Sequence, residues 1–300
     1  MSTPQQGATS TYTCPYCRNQ SDGTGTSCER CGGPVDIRLK VSKSGWAEQP
    51  PIKDMARIKF NRSVCQISGS QVPVAEMNLN DEDSIYFSHH VLLHASENLK
   101  LEALQMGGGW NRMLAGMPLI MMKASGPGHI AISADEPGET IAIPLPQGHA
   151  VDVVEHRFLV ATTNVNYQWE RAGVWFTTQD GDDQEWHYPM GQFMDRFTAQ
   201  GNHGLLLLHG PGNTFLRDLN QGESILTQPG ALIWKDPSVR MHLHFEYPRG
   251  QYWFSSARWQ AKSMWLRLTG PGRIAVQSVF EPPEMVGAVM NSSPSTTHYW

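Results

Sequence analysis

The chain has 300 residues, with 28 acidic against 23 basic side chains and a formal net charge of −5. That balance argues against a general nucleic-acid binder, which is usually basic. Mean hydropathy is −0.39, and no apolar run approaches the roughly twenty residues of a membrane-spanning helix, so none is expected.

Residues 1–11 lack both an apolar core and an Arg-rich face. They read as a disordered cytoplasmic lead-in, neither secretory signal nor transit peptide. Next come Cys14-Pro15-Tyr16-Cys17 and Cys28-Glu29-Arg30-Cys31-Gly32-Gly33-Pro34, holding four of the five cysteines. Each CxxC turn can place two sulfurs on one ion, and two such turns supply the four thiolates of a tetrahedral zinc site. Disulfides or redox motifs are the alternative, but twin CxxC pairs without a secretory signal favour zinc. The spacing predicts a zinc ribbon over residues 12–35, with Cys14, Cys17, Cys28 and Cys31 as ligands of a structural Zn²⁺. Four protein ligands leave no open position for catalysis. Residues 36–58, with a short strand over 37–41 and a stiff Gln49-Pro50-Pro51, read as a linker that couples the ribbon weakly to the rest of the chain.

The main domain is expected over 59–285. Phe60 to Ser68 reads as one strand with Cys65 as a buried apolar residue. Val72 to Leu79 and Ile85 to His94 follow as strands. His89 and His90 are adjacent and would face opposite ways on a strand, so they read as surface or turn residues. Gly107-Gly108-Gly109 interrupts the sole helix-like stretch, and the segment reads as a glycine-rich loop. It carries Arg112 but no phosphate-binding signature.

Gly126-Pro127-Gly128 returns as Gly210-Pro211-Gly212 and Gly270-Pro271-Gly272, each after an apolar strand-like run. Pro fixes φ and Gly permits positive φ, so each copy reads as a turn. A second signal interleaves: Glu139-Thr140-Ile141 and Glu223-Ser224-Ile225 begin thirteen residues after Gly126 and Gly210, and Asp83-Ser84-Ile85 is a weaker copy. Together they predict three internal repeats. The middle repeat is longer, and the excess falls in residues 166–203, rich in Trp, Phe, Asp and Glu. This insertion reads either as a partner site or as a hairpin packed on its own aromatics. In the third repeat His242, His244 and Glu246 share one face of a strand, a metal-like alternation also common by chance. Residues 286–300 read as a flexible tail.

The run Gly108-Gly109-Trp110-Asn111-Arg112-Met113-Leu114-Ala115-Gly116, leading to Gly126-Pro127-Gly128, resembles the altered-inheritance-of-mitochondria protein 24 family. So does the segment from Met264 to Ser278. Met117-Pro118 departs from the acidic-polar pair that the family tends to carry there. The resemblance, over residues 59–282, implies a β-helical fold similar to the tryptophan RNA-binding attenuation protein, and no settled activity. It also associates mitochondrial members with inner-membrane organisation, so peripheral membrane association enters as an expectation by resemblance alone.

The resulting expectation is an all-β chain: a three-repeat β-helix or barrel-like domain preceded by a zinc ribbon. Its function is expected to be non-enzymatic, a cytoplasmic scaffold or assembly protein. Partners are expected through the ribbon or the 166–203 insertion. A homo-oligomer is expected because Trp253, Phe254, Trp259 and Trp265 are too dense for one inward stripe. The rival is a cupin-like metal-dependent enzyme using His242, His244 and Glu246. An RNA-binding module, by analogy of fold, is the third reading.

Overall fold

The computed structural model describes residues 12–21, 27–34, 42–50, 52–104, 121–180, 183–246 and 263–280. Among them the chain is all-β, with antiparallel strands, two single 3-10 turns and no α-helix. The N-terminal module contributes β1 (Tyr12–Thr13) and β2 (Gln20–Ser21). The following stretch gives β3 (Ala47–Glu48), β4 (Ala56–Phe60) and β5 (Ser63–Ser68). Then come β6 (Val74–Leu79), β7 (Ser84–Ser88), β8 (Leu92–Ala95), β9 (Lys100–Ala103), β10 (Met121–Ser125) and β11 (Gly128–Ser133). The middle of the chain forms β12 (Gly138–Leu145), β13 (Ala150–Val154), β14 (Phe158–Thr162), β15 (Val165–Arg171), β16 (Phe176–Asp180), β17 (Asp183–His187), β18 (Phe193–Ala199) and β19 (Gly204–Pro211). The last part forms β20 (Thr214–Leu219), β21 (Ser224–Thr227), β22 (Leu232–Lys235), β23 (Arg240–Glu246), β24 (Ser263–Thr269) and β25 (Gly272–Gln277).

Three sheets carry most of the body. A six-stranded sheet runs β12-β19-β14-β7-β10-β9, a five-stranded one β4-β5-β6-β11-β8, and a seven-stranded one β15-β18-β13-β22-β25-β20-β3. A three-stranded sheet runs β21-β24-β23. The strand ending in each Gly-Pro-Gly is always central: β10 between β7 and β9, β19 between β12 and β14, β24 between β21 and β23. Sequence explains the placement. The Leu205-Leu206-Leu207-Leu208 run suits a strand covered on both faces, and β19 is buried throughout. On β4, Ala56, Ile58 and Phe60 are buried while Arg57 and Lys59 face solvent, the alternation of an outer strand.

Several expectations need correction. Among the described residues no sheet closes into a barrel; each ends in edge strands. The three Gly-Pro-Gly segments are not equivalent. The first and third are tight connections between β10 and β11 and between β24 and β25, with Gly128 at φ +155° and Gly272 at φ +137°. In the middle one, Gly210 and Pro211 still pair with β12, and the chain turns only at Gly212, φ +66°. The leading glycines are required for space, since none of the three has positive φ. A Cβ on Gly126 would lie 2.1 Å from the Asn80 carbonyl oxygen, and one on Gly270 2.4 Å from that of Asn220. Phe60 to Ser68 is two strands, because Asn61, at φ +45°, turns the chain back on itself. The expected linker contributes β3, paired with β20 at the edge of the seven-stranded sheet, and the start of β4. The strand expected over 37–41, the glycine-rich loop, Trp253, Phe254, Trp259 and the 286–300 tail lie outside the described residues.

Candidate metal centre

The four N-terminal cysteines form two turns of one design. Arg18 N–H donates to the Cys14 carbonyl at 2.9 Å, and Gly32 N–H to the Cys28 carbonyl at 2.8 Å. Both residues, four positions after the first cysteine of a pair, adopt left-handed conformations: Arg18 at φ 60° and Gly32 at φ 73°. Each turn thus curls both of its sulfurs to one side. Cys14 Sγ lies 3.7 Å from Cys31 Sγ, and Cys17 Sγ 3.7 Å from Cys28 Sγ. All four sulfurs lie within 4.8 Å of one another. A disulfide would bring a pair to about 2.05 Å, whereas sulfurs at the corners of a zinc tetrahedron with bonds of about 2.3 Å stand about 3.8 Å apart. The spacing fits a tetrahedral ion between four unbonded sulfurs, so the four cysteines could hold a metal ion.

The electrostatics agree. The contact with Cys31 holds the Cys14 thiol below its ordinary value, while the same contact, with burial, pushes Cys31 up. Burial also raises Cys17. A thiolate supported by neighbouring thiols is the state from which a cation displaces the remaining protons. Gly33 N–H points at Cys31 Sγ, 3.4 Å away, a further support for negative charge on sulfur.

This module is rooted in the body rather than tethered to it. Cys14, Tyr16, Cys28 and Cys31 belong to the same buried cluster as Ile58, Phe60, Val160 and Leu207. Tyr16 Oη donates to the Ala142 carbonyl on β12 at 2.8 Å, and its ring lies where a Cβ on Gly33 would be. Arg57 N–H on β4 donates to the Cys31 carbonyl at 2.8 Å, and a Cβ on Gly32 would meet Ala56 Cβ at 2.9 Å. The weak coupling expected across the linker is therefore overturned by direct packing. The sequence shows the ligands through their spacing, but nothing in it pairs Tyr16 with Ala142.

The other candidates fare differently. His242 and His244 lie on β23 as expected, and Arg267 Nη2 stands 3.0 Å from His244 Nδ1, so that nitrogen already faces a cation. Among the described residues, the four cysteines are the one group of three or more His, Cys, Asp or Glu side chains close enough to share an ion. Cys65 is wholly buried on β5, and burial pushes its thiol up to about 12, so it behaves as an apolar core residue. His89 and His90 are exposed in a 3-10 turn. The insertion is a long β15–β18 pair tipped by the β16–β17 hairpin. It packs on its own aromatics, Trp175 against Trp186 and Trp169 against Phe193, and reaches β23 through Phe176 and Phe245. It also leaves Trp186 50% and Tyr188 37% exposed. A groove of about 790 Å³ beside β15 is lined by Tyr86, Lys123, Tyr167, Trp169 and Gln200.

The acidic residues that lead the interleaved signal have a structural use. Asp83 accepts from Arg62 N–H, Glu139 from Thr214 N–H and Glu223 from Asn220 N–H, at 3.1, 2.9 and 2.9 Å.

Comparison with known proteins bears on the body. A family model described as Mitochondrial biogenesis AIM24 matches residues 65–279. The crystal structure of protein SPYM3_0169 from Streptococcus pyogenes is similar, with TM-score 0.52 and 19% identity, over 73% of this chain and 94% of that one. At that identity the likeness speaks for the fold. No curated protein matches.

Proposed function

The chain belongs to the mitochondrial biogenesis AIM24 family, and we propose that it acts as a non-enzymatic assembly protein built from a zinc-structured module and an all-β body. The observation that carries this reading is the β16–β17 hairpin, which holds Trp186 half in solvent beside Trp175, among Asp183, Gln184 and Glu185. A large aromatic presented this way, with a polar rim, is the form of a protein-contact hot spot. Cys14, Cys17, Cys28 and Cys31 would hold the Zn²⁺. With all four positions taken by thiolates, the ion would supply folding energy rather than a reactive water.

The first partner proposed is a second copy of this chain, in the cytoplasm. Light scattering behind size exclusion should give a multiple of 33.5 kDa, and Trp186→Ala should weaken association by about thirtyfold, the scale of losing one hot-spot side chain. A monomer at micromolar concentration would overturn self-assembly. Among the described residues no helix is long and apolar enough to cross a membrane. Cell fractionation decides between the cytoplasm, a membrane surface and the mitochondria that the family's description names.

A further inference from the structure

Among the described residues the six-stranded sheet has two end strands, and they are unlike. At one end β9 exposes Lys100, Leu101, Glu102 and Ala103. At the other, β12 meets Tyr16 of the cysteine module and Gln71 of the β5–β6 connection. Gly138 N–H points away from the sheet, to the Gln71 carbonyl, and the Ala142 carbonyl points away to Tyr16 Oη. Residues alternate along a strand, so positions 138, 140, 142 and 144 share that outward phase. Pro144, which has no N–H to offer, falls in it, a placement typical of an edge. The same module covers a second edge, because β4 is the outer strand of the five-stranded sheet and Arg57 N–H is spent on the Cys31 carbonyl.

The sheet itself shows what β12 would accept. It consists of two three-stranded groups, β12-β19-β14 and β7-β10-β9, joined where β14, the second strand by sequence in its group, pairs antiparallel with β7, the first in its own. The end strands repeat that complementarity: β12 is a first strand and β9 a second.

We propose that the four-cysteine module is a metal-dependent cap on the β12 and β4 edges, and that loss of the metal frees β12 to pair with β9 of a second copy of this chain. This rests on the zinc reading above, because a module this small needs the ion as well as its packing on the body to hold its shape. The contact is heterologous, so copies add head to tail and growth is open-ended unless the rotation closes a ring. Unpaired edges are templates for such growth.

The test uses the full-length chain, first assayed for bound zinc and then treated with a strong chelator. Hydrogen exchange by mass spectrometry and light scattering are read before and after. The expected result is one zinc per chain, its loss on chelation, loss of amide protection at the outward positions Thr140 and Ala142 of β12 and Arg57 of β4, and growth in mass. Leu101→Lys, an exposed change on β9 that leaves the cap intact, should suppress the growth without altering zinc content or the exposure of β12. Tyr16→Phe should keep the zinc and lose part of the protection at β12. A chain that holds no metal overturns the zinc reading and this proposal with it. A chain that loses zinc while β12 and β4 stay protected overturns the cap alone. Growth unaffected by Leu101→Lys overturns β9 as the partner edge.

Discussion

The strand plan of β6 to β11 recurs in β20 to β25, and again in β12 to β19 with the β16–β17 hairpin inserted, and the first and last versions end differently. The stretch β6 to β11 and the stretch β20 to β25 follow the same order and pairing. In each, the last strand lies between the first and the third, and the strand before it between the second and the fourth. Even the connections match: Asp83 N–H bonds the Asn80 carbonyl as Glu223 N–H bonds that of Asn220, both at 3.1 Å. Ser96 N–H bonds the His129 carbonyl as Asp236 N–H bonds that of Arg273, both at 2.8 Å. Yet β22 is buried between β13 and β25, while its counterpart β8 is an edge with Leu93 58% exposed. The side chains that differ account for the fates. Lys235 on β22 reaches Asp152 on β13 at 2.8 Å, and Arg196 on β18 binds the same carboxylate at 2.6 Å. The position on β8 that corresponds to Lys235 is Ala95, which can form no such lock.

The strongest way to break the comparison is to remove the lock. Asp152 is 3% and Lys235 5% exposed, so Asp152→Ala strands a buried ammonium and should cost about 4 kcal/mol. Equilibrium denaturation measures it, and a loss below about 1 kcal/mol would mean that packing alone joins β22 to β13. There is also a pH signature. Burial, the largest influence on Asp152, raises its carboxyl, but the Arg196 hydrogen bond and the Lys235 charge outweigh it and hold the group below its ordinary value. A carboxyl depressed by folding stabilises fully above the ordinary carboxylate range, and that contribution is lost as pH falls through the folded value. Asp152→Asn should therefore be less stable at neutral pH and lose less stability than wild type on acidification below about pH 4.

Next in size is the core of the buried copy. Ile233 on β22 is wholly buried beside Val153 and Leu208 in one cluster. Ile233→Ala should cost about 3 kcal/mol through lost burial and the cavity left behind. A smaller effect is expected where the two copies agree. Gly126→Ala and Gly270→Ala each drive a methyl group into a backbone carbonyl that cannot move aside, for about 2 kcal/mol each. Similar losses at both sites would support a shared plan. A loss at one alone would show that only that connection is tight.

These two glycines also show what the sequence could disclose. Their recurrence was legible, and with it the all-β class and the apolar strands that precede them, because turn chemistry and apolar runs are local properties. Their reason was not, since the obstacle at each is a carbonyl from a strand end some fifty residues earlier. The four cysteines were legible for the same local reason, two ligands per turn at fixed spacing. Their attachment to the body depends on Tyr16 meeting Ala142, 126 residues away, and on β4 presenting Arg57, neither of which has a sequence signature. The break at Asn61 was hidden because one turn residue with positive φ interrupts an otherwise continuous strand pattern.

The smallest expected effect is the most discriminating. Leu93 occupies on β8 the place that Ile233 occupies on β22, four residues before Glu97 and two after the buried Val91. The side chains are isomers on matching strands, and the whole β-propensity scale spans only about 1 kcal/mol, too little to produce the difference expected here. Burial can: Leu93 keeps more than half of its surface in water, and truncating it removes little transfer free energy and leaves no enclosed cavity. Leu93→Ala should change stability by less than about 0.5 kcal/mol, as surface substitutions generally do, against about 3 kcal/mol at Ile233. Both variants are compared by denaturant midpoint in dilute protein, where self-association contributes least. A loss at Leu93 approaching that at Ile233 would mean that β8 is covered in solution, and the two copies would then share their fate as well as their plan.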